Sequence, residues 1–297
     1  MAAITDIVEG KDLSRIKRLN LFARQVVEGY CTGLHQSPHK GFSVEFKQHR
    51  PYTHGDEIKR IDWKVFGRSD RHYIREYEEE TNLRCTLIVD ASGSMGYVGT
   101  SGQVKFEYAK RLSACLAYLM MGQGDSVGLV TFDDQVRSFI PDRQKTSHLQ
   151  YVIETLEQTR LGDETGLMPV VRSLVPRLRR RGLVVLISDC FGDVGQLIKS
   201  LAQLRNRGHE ILIFQIWDRD ELDFPFKQWT KFVDLEVVGE NHMVDPASLR
   251  KSYLANLEKF REELRRGCLR NRVDLIPLVT DEPYAAALAK YLAARMR

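Results

Sequence analysis

The chain has 297 residues, 43% of them apolar and 28% charged, which is typical of a soluble globular protein and excludes wholesale disorder. Its 44 basic and 40 acidic residues leave a net charge of +4, too small to indicate binding to nucleic acid or to an anionic membrane. The sequence contains no apolar run long enough to span a bilayer and no visible secretory signal. Five scattered cysteines without a CxxC pair favour a reducing compartment, so we expect a cytoplasmic protein.

The first 81 residues are predicted to form an appendage made of a helix and a small β and turn element. The predicted helix and the two predicted short strands are Leu13–Tyr30, Phe42–Phe46 and His72–Tyr77. Trp63 lies in the turn-rich segment between the strands, and we expect it to be a core anchor between this part and the rest. Residues 82–297 are expected to form the main domain.

From residue 83 onward, apolar runs of strand length alternate with segments of helical periodicity. The predicted strands are Leu83–Val89, Ser126–Phe132, Gln135–Ile140, Leu183–Ser188, Glu210–Trp217, the edge strand Lys231–Val238, and Asp274–Val279. The predicted helices are Phe106–Met121, Thr146–Glu157, Met168–Arg179, Gly195–Arg207, one that starts at Pro246 with Asp245 as N-cap, and Tyr284–Met296. This alternation predicts an α/β fold with a doubly wound, mainly parallel sheet.

Oxygen-bearing side chains follow several of the predicted strands. Asp90-Ala91-Ser92-Gly93-Ser94 comes directly after the first strand, Asp189 follows Leu183–Ser188, and Asp163-Glu164-Thr165 precedes a predicted helix. In open α/β sheets, ligands bind outside the carboxyl ends of the strands. Carboxylates and hydroxyls are hard donors that suit Mg²⁺ or Mn²⁺. About two carboxylates leave an open position on the ion, which an acidic residue of a partner could fill.

These residues resemble the metal-ion-dependent adhesion site of von Willebrand factor A domains. The residues that match its five positions are Asp90, Ser92, Ser94, Thr165 and Asp189. The resemblance implies a von Willebrand factor A-like fold and a metal that bridges two proteins. That family usually has small residues before the threonine, whereas Asp163 and Glu164 stand there in this chain, so Glu164 is an alternative ligand.

A second resemblance spans almost the whole chain. The segments Gly41–Phe46, Arg50–Tyr52, Gly55–Asp56, Arg60–Lys64, Val244–Tyr253 and Thr280–Leu292 resemble the bacterial domain-of-unknown-function family 58. This resemblance implies a non-enzymatic module that works with a MoxR-type AAA+ ATPase in complex assembly or metal-centre maturation. A client protein would offer the acidic residue to the metal. The sequence has no GxxxxGK[ST] motif, so ATP hydrolysis would belong to the partner.

Two other functions are consistent with parts of the sequence. Ser92–Gly96 is similar to a nucleophile elbow, and a hydrolase would use Ser94 with Asp189 and either His209 or His242. The loop after Ser94 disfavours this, because an elbow leads directly into its helix. The basic run Arg177–Arg181 could bind nucleic acid, but a solvated helix end explains it more simply, and we expect no nucleic-acid partner.

Overall fold

The computed structural model describes residues 18–28, 46–53, 63–69, 71–77, 83–162, 166–178, 180–233 and 241–295. They fall into two compact units. The smaller unit lies within residues 36–82, and the larger one combines the helix at residues 18–28, called α1, with the chain from residue 83 onward. The N-terminal helix α1 therefore belongs to the larger unit, whereas the sequence predicted it as part of the appendage of residues 1–81.

The smaller unit contains one antiparallel strand pair and one short helix. Strand β1 (Phe46–Pro51) pairs with β2 (Tyr73–Tyr77), and α2 (Trp63–Ser69) lies between them in the chain. Within the smaller unit, the Trp63 side chain makes edge-on ring contacts with Phe66 and His72, and its role as an anchor to the rest of the chain stays a prediction. Most of the predicted strand Phe42–Phe46 lies outside the described residues.

Six strands form the central sheet of the larger unit. In chain order they are β3 (Arg84–Asp90), β4 (Ser126–Phe132), β5 (Val136–Arg143), β6 (Leu183–Ser188), β7 (Glu210–Trp217) and β10 (Asp274–Val279). Their spatial order is β10-β7-β6-β3-β4-β5, and all neighbours are parallel except β4 and β5. The strand order runs outward in both directions from β3, so the predicted doubly wound sheet is confirmed.

Helices cover both faces of this sheet. They are α3 (Lys105–Gly122), α4 (Thr146–Gln158), α5 (Leu167–Leu174), α6 (Val194–Asn206), α7 (Arg219–Asp223), α8 (Pro246–Arg270) and α9 (Tyr284–Arg295). One apolar core joins the sheet to α1, α3, α4 and α9, and the other joins it to α5, α6 and α8. Every residue of β6 is buried, as expected for a strand that is covered on both faces.

Two predicted elements differ from the structure. The first residues of the predicted edge strand Lys231–Val238 belong to β8 (Thr230–Val233). This strand pairs antiparallel with β9 (Asn241–Val244) in a separate ribbon and not with the central sheet. The place beside β7 is taken by β10, whose six residues pair with it in continuous parallel register. The predicted helix Met168–Arg179 ends at Leu174, because Pro176 lacks an amide hydrogen and cannot continue the hydrogen-bond ladder.

Candidate metal centre

The carboxyl ends of β3 and β6 bring two buried carboxylates to the same edge of the sheet. The two strands pair in parallel from Cys85 to Val89, so Asp90 and Asp189 leave the sheet side by side. Both side chains are fully buried. The Ser188 hydroxyl ties the two ends together by donating a 2.6 Å hydrogen bond to Oδ2 of Asp90.

The turn after β3 brings two hydroxyls to this edge. The Ser92 amide donates a 2.9 Å hydrogen bond to Oδ1 of Asp90, which bends the chain directly after the strand. A short 3₁₀ turn over Gly93–Gly96 follows, and it sets the Ser92 and Ser94 hydroxyl oxygens 3.2 Å apart. Asp90, Ser92 and Ser94 therefore lie together, as the Asp-x-Ser-x-Ser motif predicts.

The Asp90 carboxylate lies in an environment that disfavours its negative charge. Burial raises the pKa of Asp90, the charge of Asp189 raises it further, and the resulting pKa is about 7 in spite of the hydrogen bonds from Ser188 and Ser92. Two carboxylates that repel each other away from water are the usual surroundings of a bound cation.

The Asp189 carboxylate has a partner that the sequence analysis missed. Its Oδ1 accepts a hydrogen bond from the Phe191 amide, and its Oδ2 lies 2.8 Å from the ammonium of Lys105. The same ammonium lies 2.7 Å from Oε1 of Glu221 in α7. Burial opposes the charged form of Lys105, but the charges of both carboxylates outweigh it and raise the pKa of Lys105. The available sequence signal was a lysine at the first position of a helix, where a cation opposes the helix dipole.

The loop after the motif is tied to the end of β7. The Thr100 amide and hydroxyl both donate to Asp220, over 2.9 and 2.7 Å. Asp218 accepts hydrogen bonds from the Asp220 amide and from the hydroxyl of Thr280. These bonds hold residues 97–104 as a loop, so α3 begins eleven residues after Ser94 rather than directly behind it. A nucleophile elbow has the opposite arrangement.

Thr165 lies outside the described residues, as do Asp163 and Glu164. The structure does describe the residues on either side of this segment, Gly162 and Gly166. The Gly162 amide donates to the carbonyl of Ala91, and the Gly166 amide donates to the carbonyl of Asp133. Both ends of this loop thus lie at the carboxyl ends of β3 and β4. The assignment of Thr165 or Glu164 as a ligand stays a prediction.

His209 and the arginines of the basic run, which the two alternative functions would need, lie at the opposite end of the sheet. His209 precedes β7 and its ring contacts the Leu178 carbonyl, so it is separated from Ser94 and Asp189 by the length of the strand, about 25 Å. His242 is in β9, and its side chain is not among those that the structure describes. Arg177 and Arg180 line a cavity of about 270 Å³ together with Arg84, at the same end of the sheet as His209.

The donor set fits a hard divalent cation. It combines the carboxylates of Asp90 and Asp189 with the hydroxyls of Ser92 and Ser94. The described residues contain no group of three or more His, Cys, Asp or Glu side chains placed to hold a metal ion, so the hydroxyls are needed as ligands. When Asp90 is ionised, the three carboxylates of Asp90, Asp189 and Glu221 and the ammonium of Lys105 leave two negative charges. A divalent ion would balance this charge, with water completing an octahedral shell.

A model of the family described as "Protein of unknown function DUF58" matches residues 48–263, most of the chain. The chain belongs to the DUF58 family. Relatives of this DUF58 chain include "Uncharacterized protein Rv1480" of Mycobacterium tuberculosis and "Uncharacterized protein Mb1516" of Mycobacterium bovis. Each is 27% identical over 296 residues, covering 98% of this chain and 92% of the relative.

Two solved structures match this chain at low sequence identity. The conserved hypothetical protein BatB from Bacteroides thetaiotaomicron is 12% identical and has a TM-score of 0.46, with 72% of this chain and 100% of BatB covered. The vWF domain of the type V pili tip protein Mfa5 from Porphyromonas gingivalis is also 12% identical, with a TM-score of 0.37 and coverage of 72% and 96%. The larger unit of the DUF58 chain has a doubly wound α/β sheet, with β3 inside the sheet and antiparallel β5 at one edge. No helix within the described residues is both long and apolar enough to cross a membrane.

Proposed function

We propose that this DUF58 protein is a non-enzymatic binding module that engages its partner through a divalent cation, Mg²⁺ or Mn²⁺. The ion would be held by Asp90, Ser92, Ser94 and Asp189, together with Thr165 or Glu164 from the neighbouring loop. The observation that carries the proposal is the pair of buried, mutually repelling carboxylates with two hydroxyls beside them. An ion held by so few protein charges keeps positions open, and an acidic side chain of a partner protein could occupy one.

Exposed apolar side chains near the centre support a protein partner. Val98 is 51% exposed and Leu161 is 41% exposed. They are close to the motif, since a Cβ atom on Gly96 would lie 3.1 Å from Leu161. Apolar side chains around a polar anchor are typical of protein interfaces. The family resemblance points to a MoxR-type AAA+ ATPase or its client as this partner, in complex assembly or metal-centre maturation in the cytoplasm.

The proposal predicts that binding to the ATPase requires both the ion and Asp90. We expect the wild-type protein to bind in Mg²⁺, to lose binding in chelator and to regain it when Mg²⁺ is restored. Asp90→Asn keeps the size of the side chain but removes the charge, so this variant should not bind under either condition. The measurement is a pull-down with the purified ATPase, followed by titration calorimetry with Mg²⁺ alone.

Asp142→Asn is the matched control. Asp142 is another strand carboxylate, and it pairs with Arg84 at the opposite end of the sheet. The Asp142→Asn variant should bind the ATPase like the wild type in Mg²⁺ and lose this binding in chelator. Unchanged binding of Asp90→Asn, or unchanged binding in chelator, would contradict the metal bridge.

A further inference from the structure

Lys105 is a buried lysine that neither the metal motif nor the apolar core accounts for. Its side chain is fully buried, as is that of Asp189, and Glu221 is 11% exposed. Its ammonium bonds to one oxygen of each carboxylate, over 2.8 and 2.7 Å. The rings of Phe191 and Tyr97 lie 5.3 and 6.0 Å from it and enclose the charge further.

A lysine in this position is costly unless its charge is used. Burial of an ammonium is expensive, and the first turn of a helix is the end at which a cation is unfavourable. An apolar residue could fill the same volume without either cost. The two carboxylates are what keeps this ammonium in place, and one of them is the Asp189 that the metal motif supplies.

We propose that Lys105 is a built-in cation of the metal centre, which sets the charge of the centre and weakens its affinity for the divalent ion. The inference rests on the proposed metal site. The ammonium occupies Oδ2 of Asp189 and repels a second cation at the same carboxylate. Without Lys105, Oδ2 of Asp189 would be available to the ion, and the carboxylate would offer it a full negative charge.

Glu221 acts on the centre through Lys105. Its Oε1 accepts from the ammonium, and its Oε2 accepts a 2.7 Å hydrogen bond from the Asp218 amide at the start of α7. Glu221 is therefore a positioning residue that shares the lysine charge with Asp189. If Glu221 loses its charge, the ammonium neutralises Asp189 alone, and the ion should bind more weakly although no ligand has changed.

This arrangement predicts opposite effects of two substitutions on Mn²⁺ affinity. Lys105→Met removes the positive charge, and we expect at least tenfold tighter binding. Glu221→Gln removes a negative charge, and we expect at least fivefold weaker binding. The double variant removes one charge of each sign and should return to within threefold of the wild type. The full-length proteins are titrated with Mn²⁺ alone by calorimetry, and thermal unfolding in chelator confirms that each is folded.

Lys110→Met is the matched control. Lys110 is a second buried lysine of α3, five positions further on, and it pairs with Glu107 rather than with the centre. Its replacement should change Mn²⁺ affinity by less than twofold. A purely structural role of Lys105 would lower the affinity in both single variants, or leave it unchanged.

The outcomes separate the two proposals. If the wild-type protein does not bind Mn²⁺ and Asp90→Asn behaves identically, the metal site itself is wrong. If the wild type binds and Glu221→Gln binds equally well or more tightly, the metal site stands and the role of Lys105 is wrong. This second comparison can overturn the role of Lys105 even if Lys105→Met fails to fold.

Discussion

Asp90 holds a negative charge that the fold tolerates poorly without a cation. Its carboxylate is fully buried beside Asp189, and its folded-state pKa of about 7 lies above the value of about 3.9 for an exposed aspartate. A raised pKa means that the folded protein favours the protonated form. The contribution of Asp90 protonation to the free energy of unfolding is fully present below about pH 4 and is lost as the pH rises to about 7.

The metal-free protein should therefore become less stable between pH 5 and pH 7 because of Asp90. We expect the free energy of unfolding of the wild type to fall by roughly 2 kcal/mol relative to Asp90→Asn over this range. The measurement is urea unfolding of both proteins in chelator at each pH. Titrating groups that do not interact with Asp90 are common to both proteins and cancel in the difference. A difference that does not change with pH would show that Asp90 is already ionised at pH 5.

At the scale of elements, the loop between the motif and α3 depends on a close approach to Asp218. A Cβ atom on Gly99 would collide with the Asp218 carboxylate, which also accepts hydrogen bonds from Asp220 and Thr280. Gly122, the last residue of α3, has open space where its Cβ would lie. The two glycines thus differ in what a methyl group would meet.

Alanine substitution at these glycines should have opposite effects on stability. Gly99→Ala must displace the loop or Asp218 and should destabilise the protein by about 1–3 kcal/mol. Gly122→Ala should stabilise it by about 0.5 kcal/mol, because alanine loses less backbone entropy in a helix. Chemical denaturation of both variants at one pH measures the difference. Equal stabilities would mean that the loop accommodates the methyl group freely.

At the scale of the whole molecule, α1 belongs to the core of the larger unit. Leu19, Ala23 and Val27 are buried in the same apolar cluster as α3 and α9, whereas Leu21 on the other face is 55% exposed. The spacing of four residues places the three buried side chains on one stripe of the helix. Residues far from the motif in sequence thus contribute to the unit that carries it.

This packing predicts unequal effects of two leucine truncations in one helix. Leu19→Ala should reduce the free energy of unfolding by about 2–3 kcal/mol, because it leaves a cavity in the core. Leu21→Ala should change it by less than about 0.5 kcal/mol. Thermal or urea unfolding of the full chain provides both values. Similar small effects of the two changes would mean that α1 contributes little to the larger unit.

The sequence by itself determined the alternation of the main domain and the position of the motif at a strand end. The bounds of Ser126–Phe132, Leu183–Ser188 and Asp274–Val279 follow directly from apolar runs that stop at polar turns. Asp90, Ser92 and Ser94 are close in the chain, so their spacing alone brings them together. Such local patterns reflect interactions within a few residues, which a single segment already contains.

Only the tertiary structure decided which distant groups meet. Lys105 is 84 positions from Asp189 and 116 from Glu221, and no periodicity of its own helix indicates either contact. The placement of Lys231–Val238 at the edge of the main sheet was likewise mispredicted, because β10 takes the place beside β7 and β8 pairs with β9. The sheet brings the ends of β3, β6 and β7 to one edge, and this juxtaposition places a lysine charge beside the proposed metal ligands.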